Sequence, residues 1–449
     1  MNITKYKNKK IAVIGLGESG EKVIKFLTRN KAYVWGLDQK QKNEIPSYKK
    51  LVKLGINFSL GKAYLKNLNN FDLIVLSPGV PTTLTEIINA RKNNIPICTE
   101  MKMFFDNCPA KIVGITGTNG KTTVTTLISK ILKQGKKKIF LGGNIGQSLV
   151  DILPKIKKDD LVVLELSSFQ LEDMSRSPHI AVILNITPDH LDRYPSFKFY
   201  VDAKKNILRY QNKNDYAVLN QNDKIVQKFD KLTKAKVLFF DKNGKKKNGA
   251  YIKNDKVYFG QTKLFELSGI KLMGEHNLEN ILVAVCVGMI LKIPKKKIEK
   301  QIKSFNGVEH RLEFVESLNS IKFYNDSKAT TPESTIAAIS AFSKNDINLI
   351  AGGYDKHANF DNLGKLIAQK VKNLFLIGKT ANQIRKSVLK FNNKIKIIMC
   401  KNLKEAVLRS YKNSESGDII LFSPACASFD MFKNYEERGL KFKNLVKKL

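Results

Sequence analysis

Residues 111–123 constrain this chain more than any other stretch. They read Lys-Ile-Val-Gly-Ile-Thr-Gly-Thr-Asn-Gly-Lys-Thr-Thr. A short apolar run, a Gly-rich loop and a helix start with no spare residues leave few architectures open. Glycines let backbone N–H groups come close to an anion, and the helix that follows aims its N-terminus at it. Lys121 supplies a cation for terminal phosphates and Thr122 a hydroxyl for Mg²⁺. Five residues rather than four separate Gly114 from Gly120, so the spacing departs from the strict phosphate-loop pattern. A plain structural turn before a helix is the alternative, and Gly-Lys-Thr-Thr at the join weighs against it.

The same strand-then-helix alternation runs along the chain and predicts an α/β fold with parallel sheets. At 449 residues, three domains are the natural division. The spacing predicts strands at 11–14, 33–37 and 73–76 in a first domain, at 111–115, 161–164 and 180–184 in a second, and at 322–324, 347–350, 374–377, 395–398 and 419–422 in a third. It predicts helices over 21–27, from 121 onward and over 277–291, and surface hairpins over 241–256. We expect boundaries at 1–100, 101–306 and 307–449: a Rossmann-like N-terminal domain, a central P-loop-type ATPase domain and a C-terminal Rossmann-like domain.

Gly15-Leu-Gly-Glu-Ser-Gly20 fits the dinucleotide fingerprint, and Asp38 ends the next strand where a ribose-binding acid sits. By itself this allows a nicotinamide, a flavin, another nucleotide or mere close packing. Because a separate phosphate loop is present, we expect a different nucleotide-like ligand here. Glu165 directly follows Val162-Val-Leu164, from which a carboxylate can reach a metal at the phosphate loop. His190 lies in Asn185-Ile-Thr-Pro-Asp-His-Leu-Asp-Arg193, where a structural role and a catalytic or metal role are evenly balanced. Asp326, Lys328 and Lys356, with Ser428 and Phe429, sit in loops beyond predicted strands, on the ligand side of an open sheet, and Arg311 lies upstream in Glu309-His-Arg-Leu-Glu313.

The chain carries 78 Lys+Arg against 40 Asp+Glu, a surplus of 38. That raises nucleic-acid binding as a reading, but most of the surplus is scattered Lys, with no interleaved aromatic signature. We expect no nucleic-acid partner. Five scattered cysteines without metal or redox spacing fit a reducing compartment. The longest apolar stretch, 281–291, is too short to span a bilayer. The expectation is a cytoplasmic protein.

Taken together the segments resemble the Mur ligase family of three-domain cell-wall enzymes. The shared marks are 117–123, Glu-Leu-Ser-Ser-Phe-Gln (165–170), 185–193, Gly-Glu-His-Asn (274–277), His-Arg-Leu-Glu (310–313) and Asn-Asp-Ser-Lys-Ala-Thr (325–330). Ser-Pro-Ala-Cys-Ala-Ser-Phe-Asp (423–430) and the first Gly-rich loop resemble the D-glutamate-adding branch. The resemblance implies ATP-driven ligation of D-glutamate to UDP-N-acetylmuramoyl-L-alanine through an acyl phosphate, with two Mg²⁺ ions, by a monomer. It implies that Gly117, Thr118, Asn119, Gly120, Lys121, Thr122 and Thr123 hold the ATP phosphates, that Asn277 and Asn280 contact adenine, and that Arg311, Asp326 and Lys328 close over ATP. Thr122, Glu165, His190 and Lys204 would serve the metals, Lys204 as a carbamate, with Lys205 as a one-residue ambiguity. Ser19, Asp38, Ser77, Gly79 and Asn144 would hold the UDP-sugar. Thr330, Lys356, Ser428 and Phe429 would hold D-glutamate. Glu18 introduces an acid where a UDP phosphate would lie. A different Mur member or a folylpolyglutamate synthase, a nicotinamide dehydrogenase and a basic nucleic-acid-binding protein are the competing readings.

Overall fold

The computed structural model describes residues 4–144, 148–189, 193–270, 272, 275–342, 346–354 and 358–449. The chain divides into two compact units, one of 1–270 with 275–303 and one of 304–449 with 271–274.

The first unit begins with five strands: β1 (Lys10–Ile14), β2 (Tyr33–Asp38), β3 (Asn57–Leu60), β4 (Leu73–Leu76) and β5 (Ile97–Thr99). They pair in the order β3-β2-β1-β4-β5, all parallel. The order reverses between β1 and β4, which opens a crevice at their carboxyl ends, the usual ligand position in such sheets. The helix Glu18–Arg29 starts in that crevice. A Cβ on Gly20 would run into the Gly15 carbonyl, so only glycine lets the helix pack this tightly on the loop.

The central sheet follows: β6 (Lys111–Thr116), β7 (Ile139–Gly143), β8 (Leu161–Glu165), β9 (Ile180–Ile183), β10 (Tyr216–Asn220) and β11 (Lys236–Phe240). Its order is β11-β10-β9-β6-β8-β7, again all parallel. Every residue of β8 and β9 is buried, because helices cover both faces and there is no solvent side to demand alternation. The helix Lys121–Leu132 lies against Glu275–Ile290, whose residues 281–287 are fully buried. The polar 241–256 segment leads into an antiparallel sheet of β12 (Ala250–Lys253), β13 (Lys256–Phe259) and β14 (Thr262–Glu266). Its first strand is half core, with Ala250 and Tyr251 buried, rather than a wholly surface hairpin.

The second unit holds β15 (Glu313–Leu318), β16 (Ile321–Asn325), β17 (Ile347–Ala351), β18 (Val371–Leu376), β19 (Lys396–Met399) and β20 (Ile419–Phe422). They order as β15-β16-β20-β17-β18-β19, with only β15 antiparallel. Two apolar clusters, one on each face, make it a three-layer domain. The α/β class expected from the sequence is that observed, with one largely parallel sheet in each of the three expected stretches and the first two stretches lying in one compact unit.

Candidate active site

In the first crevice the Gly-rich loop is pinned from three sides. Gly15 N–H donates to the Leu37 carbonyl (2.8 Å), and Ser77 Oγ donates to the Gly15 carbonyl (2.7 Å). Asp38 Oδ2 accepts the Leu16 N–H (2.7 Å). Asp38 therefore shapes the loop itself, besides standing where a ribose-binding acid would. Ser19 donates to a carboxylate oxygen of Glu100, whose other oxygen accepts from Ser148 Oγ (3.0 Å). Glu18 pairs with Lys22 at 2.6 Å on the exposed face of the helix, so its charge is met outside the crevice. Gly79 is exposed at the β4 end of the crevice.

At the carboxyl end of β6 the phosphate loop is laced to its neighbours. Gly120 adopts φ +85°, a left-handed geometry suited to glycine, directly before the helix at Lys121. A Cβ there would come within 2.7 Å of Asn280 Oδ1, so the loop and the Asn277–Asn280 turn touch at this point. Asn280 Nδ2 donates to Asn277 Oδ1 at 2.7 Å, and both side chains are buried. On the other side, Asn185 accepts the Asn119 N–H (2.8 Å) and donates back to the Asn119 carbonyl (3.2 Å). Thr118 Oγ1 lies 2.9 Å from the Tyr200 hydroxyl and accepts the Thr187 N–H at 3.0 Å. Asn185 and Tyr200 thus fix the loop. The sequence reading gave them no role, although Asn185 opens a segment it singled out and Tyr200 lies one helical turn before Lys204.

Two lysines converge on one carbonyl. Lys121 Nζ donates to the oxygens of Gly117 (2.9 Å) and Thr118 (2.7 Å), and Lys204 Nζ donates to the same Gly117 oxygen (3.0 Å). Lys204 is 1% exposed. Burial, then the nearby Lys121 ammonium, push its pKa down to about 7, against a smaller opposing pull from Asp189. Lys205 instead pairs with Asp202 at 2.8 Å on a partly exposed face. Of the two lysines, Lys204 is the one that reaches the loop.

Glu165 ends β8 in register with Ile115 of β6 and Gly143 of β7. Its Oε1 accepts from Asn144 Nδ2 (3.1 Å), while its buried Oε2 has no hydrogen-bond partner among the described residues. A buried carboxylate oxygen without a donor among the described residues fits a hard cation such as Mg²⁺, and the buried Thr122 supplies a hydroxyl in the first turn of the helix after the phosphate loop. His190 lies outside the described residues.

The second unit has its own knot around Asp326, at the end of β16. Its carboxylate accepts from Ser423 Oγ (2.7 Å) and Leu312 N–H (3.1 Å). Burial outweighs these bonds and the nearby guanidinium groups, and pushes its pKa up to about 7. Arg438 is fully buried and donates to Ser327 Oγ (3.0 Å), the Ser327 carbonyl (2.8 Å) and the Ala427 carbonyl (3.1 Å). It ties the Asp326–Thr330 segment to the Ser423–Asp430 segment, a role that nothing in Glu-Glu-Arg-Gly advertised. Lys328 N–H donates to the His310 carbonyl (2.9 Å), which sets the Lys328 and Arg311 loops side by side. Glu309, His310 and Glu313 cluster like metal ligands, but Lys443 Nζ bridges both carboxylates at 2.9 and 2.6 Å and meets their charge. Ser428 is buried, Thr330 is half-buried, and Phe429 is 62% exposed with its ring edge-on to Tyr354. Lys356 lies outside the described residues.

A phosphate loop backed by a buried lysine and a buried carboxylate, on a parallel sheet that follows one Rossmann-like sheet in the sequence and precedes another, is the framework of an enzyme that transfers phosphoryl groups from a nucleotide. Family models agree in three stretches: a MurD-like N-terminal domain over 9–99, a Mur ligase middle domain over 115–288 and a Mur ligase glutamate ligase domain over 310–426. The chain is 42% identical over 448 residues to UDP-N-acetylmuramoylalanine–D-glutamate ligase of Clostridium tetani, covering 98% of this chain and 97% of that one. It is 43% identical to the protein of that name in Acetivibrio thermocellus, with the same coverage. Among solved structures it resembles the UDP-N-acetylmuramate-alanine ligase MurC of Thermotoga maritima, with a TM-score of 0.57 at 20% identity over 98% of this chain and all of that one. It also resembles MurF ligase of the same organism, solved with ADP, with a TM-score of 0.56 at 18% identity over 100% and 97%. The chain belongs to the Mur ligase family and is an ATP-dependent ligase.

Proposed function

We propose that this enzyme joins D-glutamate to UDP-N-acetylmuramoyl-L-alanine, with conversion of ATP to ADP and phosphate, in peptidoglycan precursor synthesis. The observation that carries this reading is its relatedness over nearly the full length to chains named for that reaction. In this reading residues 1–100 hold the UDP-sugar in the crevice of Ser19, Asp38, Ser77 and Gly79, with Asn144. Residues 101–306 hold ATP on Gly117–Thr123, with Asn277 and Asn280 at the base. Residues 307–449 contribute Arg311, Asp326 and Lys328 toward ATP, and Thr330, Lys356, Ser428 and Phe429 toward D-glutamate.

The alanyl carboxylate attacks the γ-phosphorus, ADP leaves, and an acyl phosphate forms. The amine of D-glutamate then attacks the acyl carbon and expels phosphate as the amide bond closes. Lys121 neutralises charge that develops on the transferring group. Thr122, Glu165, His190 and Lys204 would hold two Mg²⁺ ions, which supply Lewis-acid stabilisation of the phosphoryl oxygens when bound. An ammonium repels a dication, so Lys204 serves there as a carbamate, formed when its neutral amine adds CO₂ and releases a proton. Its lowered pKa supports this, because a neutral amine is the nucleophile that reaction needs. We further infer that the chain works as a cytoplasmic monomer; no helix among the described residues is long and apolar enough to cross a membrane.

The test is phosphate release from ATP with UDP-N-acetylmuramoyl-L-alanine, comparing D-Glu, L-Glu, L-Ala, L-Lys and meso-diaminopimelate. Release dependent on D-Glu alone is expected. Release with another amino acid would overturn the substrate. No release with any of them, from protein that binds ATP, would overturn the reaction.

A further inference from the structure

A cavity of about 370 Å³ opens at the amino-terminal ends of β6, β9 and β10. The phosphate loop leaves the opposite, carboxyl end of β6, six residues away, so strand geometry separates the two by about 20 Å. The cavity is lined by Phe105 from the helix Glu100–Asn107, Lys111 at the start of β6, Arg176 and His179 just ahead of β9, and Tyr210 and Asp215 just ahead of β10.

Its charges are arranged in a chain. Asp215 Oδ1 accepts from His179 Nδ1 at 2.9 Å, and Asp215 Oδ2 accepts the Asn212 N–H at 2.9 Å. Both carboxylate oxygens are therefore engaged within the wall. With Nδ1–H given to Asp215, His179 Nε2 accepts from Lys111 Nζ at 3.1 Å. The imidazole thus links Asp215 to the Lys111 ammonium at the cavity. Arg176 stands beside it with its side chain 62% exposed and a 3.5 Å contact to Asp106. Lys111 and Arg176, the latter also in contact with Asp106, face a space whose lining acid among the described residues, Asp215, is already engaged, and Ser175, Ser177 and Asn212 add polar groups around them. Phe105 and the partly exposed Tyr210 supply an apolar wall.

We propose that this cavity binds a phosphate monoester, with the phosphate held by Lys111 and Arg176 and the organic part against Phe105 and Tyr210. A tetrahedral oxyanion uses several donors at once, which suits paired cations flanked by hydroxyl and amide groups. The site is independent of the ligase chemistry, and neither Lys111 nor His179 takes part in it.

The experiment uses the full chain with ¹⁵N-labelled histidine and phenyl phosphate as the probe, while a saturating nonhydrolysable ATP analogue occupies the phosphate loop. His179→Gln identifies the His179 ring signal. A saturable shift of that signal at one equivalent is expected, with affinity at least about tenfold weaker in Lys111→Met, the loss of one charge-assisted hydrogen bond. Unchanged binding of the ATP analogue by Lys111→Met checks that the variant is folded. No saturable shift at tens of millimolar probe, or an equal affinity in Lys111→Met, would overturn the proposal.

Discussion

An ammonium held out of water beside a second ammonium gives up its proton readily, and Lys204 is in that position on the Gly117 carbonyl. Its folded pKa of about 7 lies below the ordinary 10.5. Between those two values the unfolded chain binds more protons, so stability rises with pH across that window, and the whole cost is present below pH 7. Lys204→Met is expected to gain about 1–4 kcal/mol of stability at pH 6.5 in bicarbonate-free buffer, and to lose the gain above pH 10.5. The same variant should lose nearly all phosphate release. Denaturant melts at the two pH values check the first outcome, and a variant less stable than the parent at pH 6.5 would contradict it. Asp326 has the opposite sign. Its folded pKa of about 7 stands above the ordinary 3.8, so the folded chain keeps a proton that the unfolded chain releases, and stability falls as pH rises between those values. Asp326→Asn is expected to remove that fall. Urea unfolding at pH 4 and pH 7.5 measures it, and an unchanged slope would mean that Asp326 ionises normally.

The helix Lys121–Leu132 begins on a left-handed Gly120 whose missing side chain leaves room for Asn280. Gly120→Ala should cost about 1–2 kcal/mol from backbone strain alone. It should also displace Asn280 from its bond to Asn277, so binding of an ATP analogue weakens while the rest of the helix persists. Titration calorimetry and circular dichroism together test this; unchanged affinity would separate the asparagine turn from the nucleotide site. At this scale the sequence was legible for many elements buried on both sides, although β10, with Ala217, Val218 and Leu219 fully buried, was not among the predicted strands. Strands β1, β4, β6, β8, β9, β17 and β20 are largely apolar, and they appear within a residue or two of where the pattern put them. Strands β3, β7, β11 and β15 escaped, because edge or half-exposed positions mix polar residues into short runs that look like loops.

Two compact units with separate apolar clusters imply that a nucleotide stabilises the chain unevenly. An ATP analogue at a hundred times its Kd should add about 2.7 kcal/mol to the unit that carries Gly117–Thr123. Scanning calorimetry should then show that unit's transition moving up. A shift of equal size without the analogue's γ-phosphate would place the binding energy in the base and sugar instead. The large positive charge is a property of the whole chain rather than of a site. Scattered Lys residues are expected to give no duplex-DNA binding at physiological salt by fluorescence anisotropy, whereas a phosphate-tracking surface would bind with a steep salt slope.

Local pattern was enough for the class of fold, the two Gly-rich loops and the order of the family's motifs, since each depends on residues within a few positions of one another. It fixed Gly120 before the helix and Glu165 at a strand end because those roles are written in neighbours. It could not separate Lys204 from Lys205, adjacent on one helix, since only the packing of that helix on the central sheet buries one and exposes the other. Nor could it find Arg438, whose three hydrogen bonds reach back 11 and 111 residues, or join Lys111, His179 and Asp215, which start or precede three strands far apart in the chain. Those contacts exist only once parallel strands align their ends, because a sheet brings together residues that the sequence keeps dozens of positions apart.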